Sequence, residues 1–403
     1  MREHDFQESS IADSSTVCSC SCDVLIVFFN RMFGGSLDLE NYHVPGVIFS
    51  EDRSLASVAD VLVIHTPQNV DRHNQLQNKP PGQLWVSWSI ESDTNYPNIN
   101  DDVYDLKMTY QRSADIWIPY CRNYGPDLYE KIAQSSQTKE NSCVIASFIS
   151  SVNNQSQRLE YLTELSHHID VHHYGRFMKN RTIGNDAGAK SKIEVLSRYK
   201  FAIAFENSIS PDYVTEKFYD PLLVGTIPVY LGAPNISDYA PGHDCYIDIN
   251  DFNSPADLAR YLKKLDQDDT LLERYMKWKN EPLRAQFVDQ IETFAELPHS
   301  FIQLAELAKK HIGHFNGVVP HKRKGWKLKT SKGVGRLTNM RSGRSIKLDG
   351  SGLLIWELSD GERTIAQIQN YLAAAYPNQA KQIRHDVTRT LRIFRQHGLV
   401  ELI

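Results

Sequence analysis

Residues Arg198–Pro234 read RYKFAIAFENSISPDYVTEKFYDPLLVGTIPVYLGAP, two short apolar runs separated by a polar turn and a helical segment. KFAIAF and TIPVYLG are nearly continuous in apolar residues, as expected of strands covered on both faces. The segment between them opens a helix at Thr215-Glu216-Lys217. Thr215 can cap it and Glu216 suits the positive end of the helix dipole, whereas Lys217 places charge where the dipole disfavours it. A bound anion would meet both the ammonium and the free backbone N–H groups. A lysine reaching past the helix end to solvent is the bland explanation. These residues alone leave the two level.

Strand-like runs continue on both sides. DVLIVFF (23–29), DVLVIHT (60–66), QLWVSWSI (83–90) and ADIWIPY (114–120) form one series. CVIASFIS (143–150), IDVHHYG (169–175), KFAIAF, TIPVYLG and DCYIDI (244–249) form another, with helical stretches such as QSQRLEYLTEL and SKIEVLSRY between them. Strands alternating with helices imply parallel sheets with right-handed crossovers, in two successive blocks. Such blocks enclose a cleft at the carboxyl ends of their strands. Ser254-Pro255-Ala256-Asp257 marks a further helix start, with Leu258, Tyr261, Leu262 and Leu265 on its buried face.

Composition narrows the function class. The 403 residues allow two or three domains, and 41% hydrophobic with 23% charged residues describes an ordinary globular chain. A net charge of −5 does not suit a holder of polyanions, although Lys322 to Lys347 carries ten basic residues and no acidic one. No signal-peptide core or membrane-length apolar run occurs, so a cytoplasmic location is expected. Cys18, Cys20 and Cys22 form CSCSC, too tightly spaced for a tetrahedral zinc site and without a nearby Cys/His pair. Without a GxGxxG after the first strand or a Walker P-loop, NAD-type and P-loop chemistry lose their support.

The stretch YKFAIAFENSISPDYVTEKFYDPLLVGTIPVYLGAP closely resembles the donor-binding signature of the α1,3-fucosyltransferase family. The likeness extends forward through DINDFNSPADLARYLKKLDQDDTLLERYMKWK and backward through FISSVNNQSQRLEYLTELSHHIDVHHYG. WSIESDTNYP followed by YQRSADIWIPY matches the family's acceptor-side region, so the resemblance covers roughly residues 80–285. It implies a GT-B fold, in which two Rossmann-like domains face a cleft, and an inverting transfer of L-fucose from GDP-β-L-fucose to a hydroxyl. By the same resemblance Glu91 is the base that takes the acceptor's proton, and Arg158 and Lys217 neutralise the diphosphate. Read without it, Glu91 is a surface acid after a strand and Arg158 an exposed helix residue. Asn207, Tyr213, Thr215 and Glu216 then line the nucleotide-sugar pocket, Glu216 facing fucose, while Tyr174 and Gly175 end a strand near the nucleotide. Glu206 is expected to be structural. An inverting displacement needs one base and no covalent intermediate. No metal or other cofactor is expected, because IDIND belongs to a later acidic strand rather than a donor-site DxD motif.

One departure concerns the acceptor side. Family members commonly read TYR-x-DSD where this chain has Thr109-Tyr110-Gln111-Arg112-Ser113-Ala114-Asp115, with an arginine displaced by one position and an aspartate missing. The change bears on which acceptor is used more than on the donor.

The C-terminal texture differs. LDGSGLLIWELSDGERTIAQI and the DV and GLVEL elements after it resemble the PqqD-like family of small winged-helix domains. Such domains often take up a peptide by strand addition. The expected layout is a flexible N-terminus (1–22), an acceptor-side Rossmann-like domain (23–135) and a GDP-fucose-binding Rossmann-like domain with return helices (136–312). A basic linker (313–340) and the small α+β winged-helix domain (341–403) complete it. A glycan acceptor is expected; a peptide or protein acceptor recruited by the C-terminal domain is the alternative, and an inactive transferase serving as a partner-binding platform a second. The C-terminal domain could instead dock a protein partner or self-associate. Nucleic acid ranks last, since no aromatic-interleaved binding strip accompanies the basic residues.

Overall fold

The computed structural model describes residues 24–403, apart from Val58, 69–78, 80–82, 136–138 and 140–144. Residues 1–22, with Cys18, Cys20 and Cys22, lie outside the described residues. Two compact units are present: Leu25–Val44 with Phe49–Phe315, and Asn316–Ile403 together with Val24 and Pro45–Ile48.

The larger unit holds two parallel sheets. In the first, Val24–Phe28, Val61–His65, Leu84–Ser89, Leu106–Thr109 and Ile116–Trp117 lie side by side. Leu106–Thr109 has no counterpart among the sequence-predicted strands, because only Met108 and Thr109 of its four residues are buried and the apolar signal is short. In the second sheet Val171–His173, Ile145–Ser147, Phe201–Phe205, Ile227–Leu231 and Ile247–Asp248 follow in that order, all parallel. The order reverses between Ile145–Ser147 and Phe201–Phe205, the point in an open α/β sheet where loops diverge and leave a crevice.

Both central strands of the quoted segment are buried throughout and pair in full register, Phe201 with Ile227 through Phe205 with Leu231. Leu258, Leu262 and Leu265 of the helix Pro255–Gln267 join this core, and Ser254 caps that helix by accepting from the Asp257 N–H. The helices Ala285–Glu296 and Ser300–Asn316 follow, and Phe301 packs its ring 4.6 Å from Phe28 and 5.7 Å from Trp88 of the first sheet.

The smaller unit corrects the expected linker. Trp326–Ser331, Val334–Asn339 and Ser345–Leu348 form an antiparallel sheet, and Pro320–Lys322 pairs with Val400–Leu402. The basic stretch is therefore strand, because its charges alternate with apolar residues: Leu337 is buried while Arg336 and Lys347 face out. The helices Gly350–Leu358, Ile365–Ala375 and Ala380–Gln396 complete the unit. Ile355, Trp356, Ile365, Ile368, Val387, Leu391 and Phe394 are among its buried residues. Thr364 and Gln367 form a capping box at the second helix.

Two features set testable limits on stability. His65 is 0% exposed at the end of its strand, neither ring nitrogen has a hydrogen-bond partner, and burial pushes its pKa down to about 4. An unfolded histidine titrates near its ordinary value of about 6.5, so below that pH the unfolded chain binds the extra proton. Stability falls as pH drops, and His65 alone accounts for about 2 kcal/mol between pH 7 and pH 5. Urea unfolding at the two pH values should show this loss in the wild type and a smaller one in His65→Leu; equal losses would reject the assignment. Gly175 lies so close to Ile149 that an added Cβ would overlap the Ile149 carbonyl. Backbone on both sides cannot yield, so Gly175→Ala should cost about 3 kcal/mol or more in chemical denaturation.

Candidate active site

The second sheet places two loops at its reversal point. Residues 148–157 leave Ile145–Ser147 and lead into the helix Arg158–His168, while residues 206–215 leave Phe201–Phe205 and lead into the helix Glu216–Leu223. Both helices present their first turns where the strands end, which is the geometry that favours anions.

Glu206 organises the second loop. Its side chain is 0% exposed, and its carboxylate accepts the Thr215 N–H at 2.8 Å and the Thr215 hydroxyl at 2.8 and 2.9 Å. Thr215 in turn caps the helix by accepting from the Lys217 N–H. The Lys217 ammonium lies 3.3 Å from Glu206 Oε2, 3.0 Å from Glu216 Oε1 and 3.0 Å from the Thr215 hydroxyl. Lys217 thus does not reach out to solvent. Burial would lower its pKa, and the carboxylates of Glu206 and Glu216 outweigh that and raise it. Desolvation pushes the pKa of the Glu216 carboxylate up, and the charges of Lys217 and Lys192 bring it down to about 2. A small cavity bordered by Phe148, Ile149, Lys192, Glu216 and Lys217 opens beside this group.

Arg158 is buried at 1% exposure, not at the surface as its sequence position alone implies. It begins its helix, and its side chain turns back to donate to the Phe205 carbonyl at 3.0 Å and the Ser151 carbonyl at 3.1 Å. Its Nε has no hydrogen-bond partner, and desolvation lowers its pKa against the pull of Glu206. A buried guanidinium facing carbonyls rather than a carboxylate retains capacity for an anionic ligand.

Glu91 comes from the first sheet, just after Leu84–Ser89. Its N–H is held by the Ser89 hydroxyl at 2.9 Å, and the Ile90 carbonyl before it accepts from the Tyr120 hydroxyl at 2.8 Å. Tyr213 donates to Glu91 Oε2 at 3.3 Å. Burial raises the Glu91 pKa, opposed by the charge of Lys217 and by hydrogen bonds from Tyr213 and Asn207. A carboxylate of raised pKa across a cleft from two cations can accept a proton while a leaving anion is neutralised. Glu91, Arg158, Asn207, Tyr213, Thr215, Glu216 and Lys217 are thus brought together.

Tyr174 and Gly175 pack against two residues in the wall of the cavity beside Lys217, Phe148 and Ile149. Tyr174 stacks on Phe148 at 5.1 Å and shares a hydrogen bond with the Tyr199 hydroxyl at 2.7 Å. The sequence reading missed Tyr110, Tyr120, Asp93, Asn95 and Ser210. Asn95 donates to Asn207 at 3.1 Å and to Ser208 at 2.6 Å, joining the two sheets' loops. The polar run SDTNYP directly after Glu91 was the one available signal for Asp93 and Asn95. Among the described residues no group of three or more His, Cys, Asp and Glu side chains could hold a metal ion, and no helix is long and apolar enough to cross a membrane.

Three family models match the chain. Residues 137–311 match glycosyltransferase family 10 (fucosyltransferase) C-term, residues 22–121 match the fucosyltransferase N-terminal model, and residues 336–400 match coenzyme PQQ synthesis protein D. The 4-galactosyl-N-acetylglucosaminide 3-alpha-L-fucosyltransferase 9 of Mus musculus is 34% identical over 262 residues, covering 62% of this chain and 69% of that protein. The 4-galactosyl-N-acetylglucosaminide 3-alpha-L-fucosyltransferase FUT6 of Pan troglodytes is 34% identical over 258 residues, covering 60% and 68%. A solved α1,3-fucosyltransferase superposes with a TM-score of 0.44 and 18% identity, over 67% of this chain and 84% of that one. From Leu25 to Phe315 the two parallel sheets fall within the stretches matched by the two fucosyltransferase models. The chain belongs to the fucosyltransferases of glycosyltransferase family 10 and carries a PqqD-family domain toward its C-terminal end.

Proposed function

We propose that this enzyme moves L-fucose from GDP-β-L-fucose to an acceptor hydroxyl in a single displacement with inversion, giving an α-fucoside. The observation that carries this reading is the meeting of Lys217 and Arg158 at the sheet's reversal point, with Glu91 facing them from the other sheet. Lys217 and the first turn of its helix would receive the diphosphate, with Arg158 Nε beside it. As the sugar's C1–O bond breaks, charge accumulates on the departing GDP, and fixed cations there lower the barrier. Side-chain cations supply that neutralisation without a metal ion. Glu216 would stabilise the oxocarbenium-like sugar with its carboxylate. Glu91 takes the acceptor's proton as the new bond forms, and its raised pKa matches it to that task.

A glycan acceptor is the reading that a neighbouring cavity favours. A cavity of about 300 Å³ lies against Ile90 and Tyr120, the residue before Glu91 and its hydrogen-bond partner, with Asp38, Tyr42, Trp88 and His299 also in its wall. Aromatic faces with a few polar groups suit a sugar ring. A second reading rests on the C-terminal unit, whose sheet leaves the outer sides of Trp326–Ser331 and Ser345–Leu348 unpaired within it. A peptide could add there as a strand and be fucosylated on Ser or Thr.

Glu91→Gln should lower kcat by about 10²–10⁴ while leaving GDP-fucose affinity within about twofold by calorimetry. A comparable loss of donor binding would show that Glu91 holds the donor instead. GDP release with glycan and with peptide acceptors, measured with and without residues 320–403, distinguishes the acceptors. Glycan transfer that survives the deletion supports the first reading; peptide transfer abolished by it supports the second.

A further inference from the structure

Asp93, two residues beyond Glu91, has a carboxylate engaged on both oxygens by groups from three separate segments. Oδ1 accepts the Tyr110 hydroxyl at 2.8 Å and the Ser210 hydroxyl at 2.8 Å. Oδ2 accepts Gln111 Nε2 at 3.0 Å and Asn100 Nδ2 at 3.2 Å. Tyr110 and Ser210 lie 3.0 Å apart and are each 1% exposed. Tyr110, Gln111 and Asn100 belong to the first sheet's side, whereas Ser210 lies in the loop that carries Asn207 and Tyr213. A local turn cap would accept from its own neighbouring N–H groups. Asp93 instead spans the cleft.

The contacts around it converge on Glu91. Tyr110 packs edge-on to Tyr213 at 5.0 Å, and Tyr213 donates to Glu91. Asn95 holds Asn207 and Ser208 from the same strip. The segment bearing Glu91 is thus fastened at Asp93 and Asn95 to the loop bearing the donor-side residues. The departure from TYR-x-DSD finds its place here: Gln111, at the position of the family's arginine, donates to Asp93. Arg112 instead lies 5.0 Å over the Tyr239 ring, with its backbone N–H donating to Asp212 at 3.1 Å.

We infer that Asp93 is a positioning residue that fixes Glu91 relative to the bound donor by bridging Tyr110 and Ser210 across the cleft. The inference rests on Glu91 being the base. Asp93 touches neither reacting group; it sets the distance between the half that carries the base and the half that carries the donor. A shift of about 1 Å in such a distance is enough to slow a positioned reaction roughly a hundredfold.

The donor side keeps its own anchors without Asp93: Arg158 on the Phe205 and Ser151 carbonyls, and Lys217 on Glu206. Asp93→Ala should therefore lower kcat at least tenfold while GDP-fucose affinity, measured by calorimetry on the full chain, stays within twofold. Ser210→Ala removes only the cross-cleft hydroxyl and should give a smaller kcat loss of the same kind. In the double variant the two losses should fall short of multiplying. Amide hydrogen exchange should quicken at 90–96 and 207–212 in Asp93→Ala and stay unchanged in the sheet Phe201–Phe205 with Ile227–Leu231. A kcat within twofold of wild type, or a kcat loss matched by an equal loss of donor affinity, overturns the positioning role. If the wild type neither binds nor consumes GDP-fucose, the reading of the reaction fails. The exchange measurement still tests the bridge, and unchanged exchange at 90–96 in Asp93→Ala would refute it.

Discussion

A fully buried carboxylate at the end of an interior strand has to find its compensation inside the protein. Glu206 finds it in the Thr215 N–H, the Thr215 hydroxyl and the Lys217 ammonium. A charge removed from water without such partners costs far more than a fold of ordinary stability can absorb. That requirement draws the start of the helix Glu216–Leu223 onto the strand end and holds Lys217 inward. It also explains why Gly232 follows the neighbouring strand, since a side chain there would collide with Glu206 and the Tyr230 hydroxyl.

With Lys217 held by this network, the rest of the site follows from the two-sheet arrangement. Arg158 arrives from the loop after the adjacent parallel strand, tied to the carbonyl of Phe205, the residue before Glu206. Cations therefore gather on one side of the cleft, and the Glu91 carboxylate stands on the other. Neither sheet has both. Tyr213 is the bridge in the middle, donating to Glu91 from the loop 206–215 of the second sheet and packing against Tyr110 and Tyr120 on the first sheet's side.

The C-terminal unit solves a different problem. Its short sheet buries Leu337 and Leu348 against a helical layer and turns its basic side chains outward, Lys329, Arg336 and Lys347 standing opposite one another across three strands. Like charges so placed repel, so the strands are held by the core on their other face. Charge density alone made this stretch look like a tether; the alternation WKLK was the better guide, because an apolar residue at every second position needs a sheet to bury it.

Much of the fold was legible in the chain. The apolar runs from Val24 to Asp248 marked nearly every strand of the two parallel sheets, since strands covered on both faces must be almost continuously apolar. Ser254-Pro255 marked a helix start because capping is local chemistry. The motif around Thr215-Glu216-Lys217, through its family resemblance, pointed to donor chemistry. What the chain could not disclose is whatever depends on residues far apart in sequence. Arg158 looked exposed because helical spacing says nothing about the strand that a side chain will turn toward. Lys217 is held inward by Glu206, a carboxylate that a burial pattern marks as interior without naming its partner. The tie from Asp93 to Ser210, 117 residues away, exists only when two sheets face each other. Short-range order sets elements by propensity and pattern; long-range contact alone sets which charges meet, and in this protein the chemistry lies in those meetings.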